Sequence, residues 1–531
     1  MRASVPNRNT RAAAALVALT ALAALTACVK SRRTPDDTLV VLIDSEVSEV
    51  DPRYEMSAAQ NKVSRLCAAG LTAVDTADLK PRLLLAESVT ALDPLTWEIV
   101  LRADARFPDG SAVTAEDVAF TYQSSLDPAL ASPRRKSWLE RYTSIDAVPG
   151  DPRRVRFHLK APLATFRSDL DFGIVSKRAA LAAGHGGRFV NGTTVGAGAY
   201  QVVSMRPGEV ILAANPYYVE GAPRLRRLVV RTVRDANARL LMLVGGSADF
   251  TQNTVRMDLV DEVARQPRLR TETGASAILS YLLLQNQDPI LKDVRVRHAI
   301  ALAIDREKLV RRKLGGHAVL ASGLLPPSHW AYSPDVTRYP YDPAAARRLL
   351  DEAGYPMRAN GAPRFTLTYK TSSDLFRISI ARLIAAQLAE VGIDVEVRPF
   401  EFATLLADLR AGNFQLASLQ TAEIVEPDMH YVYFHSSRMP SKEQPDGLNR
   451  MRYQNPEVDR LIEAGRHEVD PEKRKPLYAA LQKLLAEDLP TIPLWFEDNV
   501  AVHNRDVEGF VVVPNARLTP VASVTKHVPT K

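Results

Sequence analysis

The sequence predicts an α/β protein of at least two lobes, on three observations. The chain is 531 residues long, and single hydrophobic cores stop growing near roughly 250–300 residues. Strand-like and helix-like segments alternate from residue 38 onward instead of segregating. Residues 365–397 read as strand, helix, strand, a unit that pairs its strands in parallel. Apolar residues make up 46% of the chain and charged residues 24%, the balance of an ordinary soluble globular protein.

The amino terminus reads as a processing signal. Arg2, Arg8 and Arg11 precede an apolar run over residues 12–25. That run is shorter than the ~20 residues a membrane-crossing helix needs and has the length of a signal-peptide core. It ends in Leu25-Thr26-Ala27-Cys28, which resembles the lipobox of bacterial lipoproteins. The resemblance implies removal of residues 1–27, a diacylglycerol on the Cys28 sulfur, and a tether over residues 28–37. An ordinary signal peptide or a buried amino-terminal helix are the other readings. Cys67 is the second of two cysteines. It falls in a helical pattern and reads as a small core residue with no disulfide partner.

Along the body, residues 38–43 are β-branched and aliphatic, the pattern of a buried strand. Residues 97–102 and 155–159 alternate like half-exposed strands. Asp342-Pro343 starts a helix that ends at Gly354, and residues 378–390 form the helix of the strand–helix–strand unit, closed by Gly392. Asn455-Pro456 and Asp470-Pro471 each place a capping side chain before a proline at the first helical position. Pro476 lies inside the second of these helices, where a kink is expected. Thr114 and Asp117 have the spacing of a capping box.

Several segments together resemble the extracellular solute-binding family 5, the dipeptide, oligopeptide and nickel binding proteins. They are Trp97 to Arg102 with Pro108-Asp109-Gly110 and Thr114 to Phe120; Gly196-Ala197-Gly198-Ala199-Tyr200 with Asn215-Pro216-Tyr217-Tyr218; and Asn286, Asp293 to Arg297 and Ala303 to Arg306. Leu325-Pro326-Pro327, Tyr341-Asp342-Pro343 and Asp488-Leu489-Pro490 add to the match, which runs in unbroken order over residues 38–515. The resemblance implies a two-lobe periplasmic-binding-protein fold (type II, cluster C) with a hinge of crossing strands and an extra α+β subdomain in lobe I. Lobe I would comprise residues 38–278 plus 500–531, and lobe II residues 279–499. It further implies an exported monomer, anchored by lipid to a membrane at its periplasmic or extracytoplasmic face, that encloses a peptide-like ligand and passes it to the permease subunits of an ABC importer without a cofactor.

In peptide-binding relatives a Trp and an Asp shortly before an Asp-Pro hold the ligand's amino terminus. In register, Gln420 falls at the Trp position, Glu423 at the amine-binding Asp, and Glu426-Pro427 at Asp-Pro. Glu423 is therefore the expected partner of a ligand cation, with Gln420 and Thr421 beside it. Glu426 is expected to bond the backbone amides of the next helix. Arg377 follows a parallel strand at its carboxyl edge, where ligands bind, and is placed to meet a ligand carboxylate. Ser45 and Glu46, after the first strand, are expected to line the cleft from lobe I. Tyr431 and Tyr433 read either as cleft walls or as core.

Other function classes find little support. The net charge is +7, from 68 Lys+Arg against 61 Asp+Glu, with no basic stripe interleaved with aromatics, so nucleic acid is not an expected partner. His430 and His435 are five residues apart, off one helical face and without a third ligand, so no metal site is expected. No G-x-S-x-G occurs and no Cys–His pair stands out, so catalysis is not expected. A sensor that reports its ligand to a membrane partner, or a binder of a nickel chelate or other non-peptide solute, remains open beside peptide import.

Overall fold

The computed structural model describes residues 34–527 except positions 191, 360 and 422. The expected signal peptide and Cys28 lie outside the described residues. The chain forms two large mixed sheets and a smaller antiparallel one.

The seven-stranded sheet runs Leu269–Gly274, Asn499–Asn504, Phe250–Gln252, Thr38–Ile43, Arg227–Thr232, Glu209–Ala214 and Tyr200–Arg206 in spatial order. All six residues of Thr38–Ile43 are buried, as a continuous aliphatic run between two parallel neighbours requires. Apolar side chains cover both faces, Leu39, Val41 and Phe250 on one and Val40, Leu42 and Val502 on the other. The six-stranded sheet runs Ala318–Leu320, Thr491–Glu497, Leu279–Leu284, Leu416–Gln420, Phe365–Ser372 and Ile393–Phe400. Its strands Phe365–Ser372 and Ile393–Phe400 are parallel, with the helix Leu375–Glu390 between them, the unit the sequence predicts. The four-stranded sheet comprises Ala86–Asp93, Thr96–Leu101, Arg154–Leu159 and Tyr142–Ala147. Burial alternates along Thr96–Leu101 and Arg154–Leu159. Its inner face packs on an aromatic cluster in which the Tyr122 and Trp138 rings meet edge-on at 4.7 Å.

The chain passes between the two large sheets twice, from Leu269–Gly274 to Leu279–Leu284 and from Thr491–Glu497 to Asn499–Asn504. Asn499 stitches the crossings together. Its amide donates to the carbonyls of Ala275, Val513 and Pro514 at 2.9–3.0 Å, and its oxygen accepts from Asn253 Nδ2 at 2.8 Å. The second crossing is one residue long, so the sheets are joined with little slack.

Local chemistry explains the motifs. Thr114 Oγ1 accepts from the Asp117 amide and the Asp117 carboxylate accepts from the Thr114 amide, a reciprocal cap on the helix Ala115–Leu126. Gly198 donates to the Cys67 carbonyl at 3.0 Å. A Cβ at Gly198 would collide with the Leu66 carbonyl, and one at Gly196 with Cys67. The Gly-Ala-Gly-Ala-Tyr segment thus needs glycine where backbone meets the end of the helix Ala58–Cys67. Cys67 is 1% exposed and unpaired. The helix Pro471–Asp488 continues through Pro476. Among the described residues no helix is long and apolar enough to cross a membrane.

Two buried polar ties were not anticipated. Arg53 and Asp51 are both fully buried, bonded through Nε–Oδ1 at 3.0 Å and Nη2–Oδ2 at 2.7 Å. Arg53 also donates to Ser124 Oγ and to the Gly187 carbonyl, each at 2.9 Å, so one guanidinium joins three segments. Lys526 Nζ donates to Thr34 Oγ1 at 2.6 Å and to the Thr38 carbonyl at 2.9 Å, and lies 3.1 Å from Asp249 Oδ1. Thr34 is consequently buried within the stretch read as tether.

Candidate functional site

A cavity of about 990 Å³ opens between the two large sheets. One wall comes from the loop after Thr38–Ile43 (Asp44, Ser45), the start of the helix Ala58–Cys67 (Asn61, Lys62) and Asn253. The opposite wall comes from Gln420, Thr421 and Glu423 at the end of Leu416–Gln420. A second cavity of about 670 Å³ adjoins it, since Asn253 and Gln420 line both. Its walls include Leu375, Phe376 and Arg377 from the start of the helix Leu375–Glu390, along with Tyr281, Trp495 and Glu497. Asp374 fixes that helix start by accepting from the Arg377 amide at 2.9 Å.

Five residues expected at the site lie on these cavities: Glu423, Gln420, Thr421 and Ser45 on the larger, and Arg377 on the smaller. Their bonding separates them. Thr421 Oγ1 accepts from the Leu279 amide at 2.9 Å, so its hydroxyl is committed to backbone. Gln420 links a cation to an anion. Its oxygen accepts from Arg377 Nη2 at 2.7 Å, and its nitrogen donates to Glu497 Oε1 at 2.7 Å and Ser280 Oγ at 3.1 Å. Ser45 Oγ donates to Asp44 at 3.0 Å. Glu423 makes no hydrogen bond among the described residues. Burial pushes its pKa up, against the pull of Arg517, Lys62 and Arg65.

The structure does not bring the remaining expected residues to either cavity. Glu46 accepts from the Gly208 amide at 2.8 Å, capping the turn between two strands of the seven-stranded sheet. Tyr431 is covered by the Arg466 guanidinium, 3.5 Å above its ring. Tyr433 is buried in the core beside Tyr281. Glu426 is structural, but it does not bond helix amides. It accepts from Ser168 Oγ at 2.5 Å and Arg474 Nη2 at 3.2 Å, reaching a serine 258 residues away in sequence. His430 and His435 also part company. His430 is fully buried against the Pro427 carbonyl, its pKa pushed down to about 4 by burial, while His435 meets Ser437 and Glu463. No group of three or more metal-ligating side chains occurs among the described residues.

Sequence reasoning missed the basic side of the cavity. Arg134 donates to Glu55 at 2.8 Å, Arg65 lies 3.8 Å from Asp171, and Arg517 pairs with Asp171. Lys62 reaches the same space from the helix Ala58–Cys67, its pKa pushed down by burial and raised in part by Glu423 and Asp44. No local pattern marks these residues. They converge only when the carboxy-terminal segment returns to the seven-stranded sheet through Asn499–Asn504.

A cavity between two sheets that are joined by a double crossing is the architecture of a two-lobe solute-binding protein. The chain belongs to the bacterial extracellular solute-binding proteins of family 5, whose middle-region model matches residues 80–441. It is 29% identical over 453 residues to a probable di/tripeptide-binding protein of Pseudomonas aeruginosa, covering 80% of this chain and 83% of that one. It is 26% identical over 500 residues to the glutathione-binding protein GsiB of Escherichia coli, covering 92% and 95%. The oligopeptide-binding protein AppA of Bacillus subtilis, solved with a nonapeptide, superposes with a TM-score of 0.74 at 26% identity, covering 92% of this chain and 99% of that one.

Proposed function

We propose that this chain is an exported, lipid-anchored receptor that captures a peptide or peptide-like solute and delivers it to an ABC permease. Lobe I would be residues 38–278 with 500–531, lobe II residues 279–499, and Cys28 the lipidated residue. The observation that carries the reading is the interlobe cavity with the unbonded Glu423 carboxylate on its lobe II wall. Closure of the lobes would take this half-buried carboxylate out of water, which is costly without a partner, and a guest ammonium supplies that partner. Closure is then stabilised by contacts that the open state lacks. The adjoining cavity offers Arg377, held by Gln420, to a ligand carboxylate. The peptide and glutathione binding named for the relatives is in keeping with both ends.

The guest leaves chemically unaltered in this reading, and the partners are the permease and the membrane. Native mass spectrometry of protein purified from its own host is expected to find a bound peptide-like mass. Glu423→Gln is expected to weaken calorimetric binding of that ligand at least tenfold, roughly 1.4 kcal/mol. Unchanged affinity would remove Glu423 from the site. Metabolic labelling with a tagged fatty acid is expected to mark the wild type and not Cys28→Ala.

A further inference from the structure

We propose that the edge of the seven-stranded sheet at which Thr38–Ile43 begins is a docking surface for anionic lipid headgroups. The proposal rests on the reading of the chain as membrane-anchored and names the face turned to that membrane.

Strand register gathers six arginines along this edge: Arg224, Arg226, Arg227, Arg268, Arg270 and Arg505. Arg227 opens its strand parallel to Thr38–Ile43, and its amide donates to the Asp37 carbonyl at 3.1 Å. Arg224 and Arg226 lie just before it. The strand Asn499–Asn504 runs antiparallel to Phe250–Gln252 and Leu269–Gly274, so its carboxyl end meets their starts. There the Arg505 amide donates to the Arg268 carbonyl at 2.9 Å. Asp249 spans the distance between the two groups. Its carboxylate accepts from the Val40 amide at 2.8 Å, and its carbonyl accepts from the Asn504 amide at 2.9 Å. Arg268 is half-buried and the other five arginines are exposed.

None of the six has a carboxylate within 4 Å among the described residues. Arginines elsewhere on the surface do: Arg82 pairs with Asp75 and Glu220, and Arg154 and Arg156 share Glu98. The acids of this edge are fewer and partly spent. Asp249 is buried against Lys526, Glu508 faces His527 at 3.2 Å, and Asp37 accepts from Thr38 Oγ1 at 3.0 Å. Asp36 is exposed and Asp506 half-buried. The guest does not use these arginines, because the larger cavity lies at the other end of the strands, beyond Ile43 and Gln252. The chain that precedes the fold does arrive here. Lys526 Nζ pins Thr34 Oγ1 at 2.6 Å and the Pro35 carbonyl at 3.0 Å. Lys30, Arg32 and Arg33 lie between Cys28 and Thr34. So short a stretch reaches at most about 20 Å when fully extended, which would hold this edge near the headgroups once Cys28 carries lipid. Basic side chains at that height are attracted to an anionic leaflet over about a Debye length.

The test is vesicle co-sedimentation of the chain from residue 28 with Cys28→Ser, which carries no lipid and keeps every described residue. Vesicles of phosphatidylcholine alone are compared with vesicles containing about one-third phosphatidylglycerol. Binding is expected to the anionic vesicles only, and to fall at least tenfold between about 0.05 M and 0.5 M salt. Arg226→Glu with Arg227→Glu is expected to lower the partition coefficient at least tenfold. Lys475→Glu with Lys483→Glu makes the same charge change on exposed positions of the helix Pro471–Asp488. That pair is expected to leave the coefficient within about twofold. Melting temperatures check folding, and Arg226→Gln with Arg227→Gln replaces the glutamate pair if that pair melts early. Equal binding to both vesicles, binding to neither, or equal losses from the two double variants overturns the proposal. Neither a guest nor a lipid on Cys28 enters the measurement, so those outcomes are distinct from failure of the solute-binding or anchoring reading.

Discussion

Replacing Glu426 by Gln is expected to remove a pH-dependent weakness from the fold. The Glu426 side chain is 13% exposed and accepts from both Ser168 Oγ and Arg474 Nη2. Burial pushes its pKa from 4.5 up to about 7, with Asp428 and Asp169 adding to the rise and Arg474 and Ser168 opposing it. In the unfolded chain the group returns to an ordinary glutamate. Between about pH 4.5 and 7 the folded protein therefore keeps a proton that the unfolded chain has lost. Stability from this group is fully present below about pH 4.5 and is lost as the pH rises through about 7. At roughly 1.4 kcal/mol per pH unit, the window amounts to about 3 kcal/mol. A glutamine keeps the shape, accepts from Arg474 and donates to Ser168, but cannot ionise. Urea denaturation of wild type and Glu426→Gln at pH 4.5, 6 and 8 measures the difference. The variant is expected to match the wild type at pH 4.5 and to exceed it by about 3 kcal/mol at pH 8. Profiles that differ by a constant offset, or a variant whose advantage is largest in acid, would refute the reasoning.

Two further outcomes test the packing. Cys67 is 1% exposed and burial pushes its thiol up to about 12. Ellman's reagent at pH 8 is expected to find no reactive thiol in the mature folded protein and one after denaturation, so rapid native reaction would contradict the packing. Arg53→Met strands the buried Asp51 carboxylate and is expected to cost about 3–5 kcal/mol in urea denaturation. A loss under about 1 kcal/mol would mean the pair is hydrated in solution.

The fold was legible where the signal is local. Residues 38–43 announce a buried strand because every position is aliphatic or β-branched, and the caps at Thr114, Asp342, Asn455 and Asp470 announce helix starts because one side chain bonds an amide two or three residues ahead. Strand order was not legible. Nothing in residues 499–504 says that they lie between Leu269–Gly274 and Phe250–Gln252, since that order depends on partners more than 200 residues away. The same divide runs through the site. Glu423, Gln420 and Arg377, which line the cavities, stand out in the sequence because the family resemblance and the strand edge mark their segments. Lys62 sits on a helix with no distinguishing pattern, and the Glu426 partner Ser168 is 258 residues distant. Tyr431 reads either as a cleft wall or as core from its neighbourhood in sequence, and Arg466, brought in by the helix Pro456–His467, covers its ring.

The place of Asn499–Asn504 inside the first sheet bears on how the molecule is made. A ribosome delivers the strand Phe250–Gln252 long before the strand that must lie against it, with some 250 residues between them. At about 5–20 residues per second, that is a wait of roughly 12–50 s. During the wait the nascent first half has a gap in its sheet, flanked by Thr251 and Thr271, both of which pair with Val502. The half made first is thus completed last, and the growing chain stays open to any translocation machinery that accepts only unfolded polypeptide.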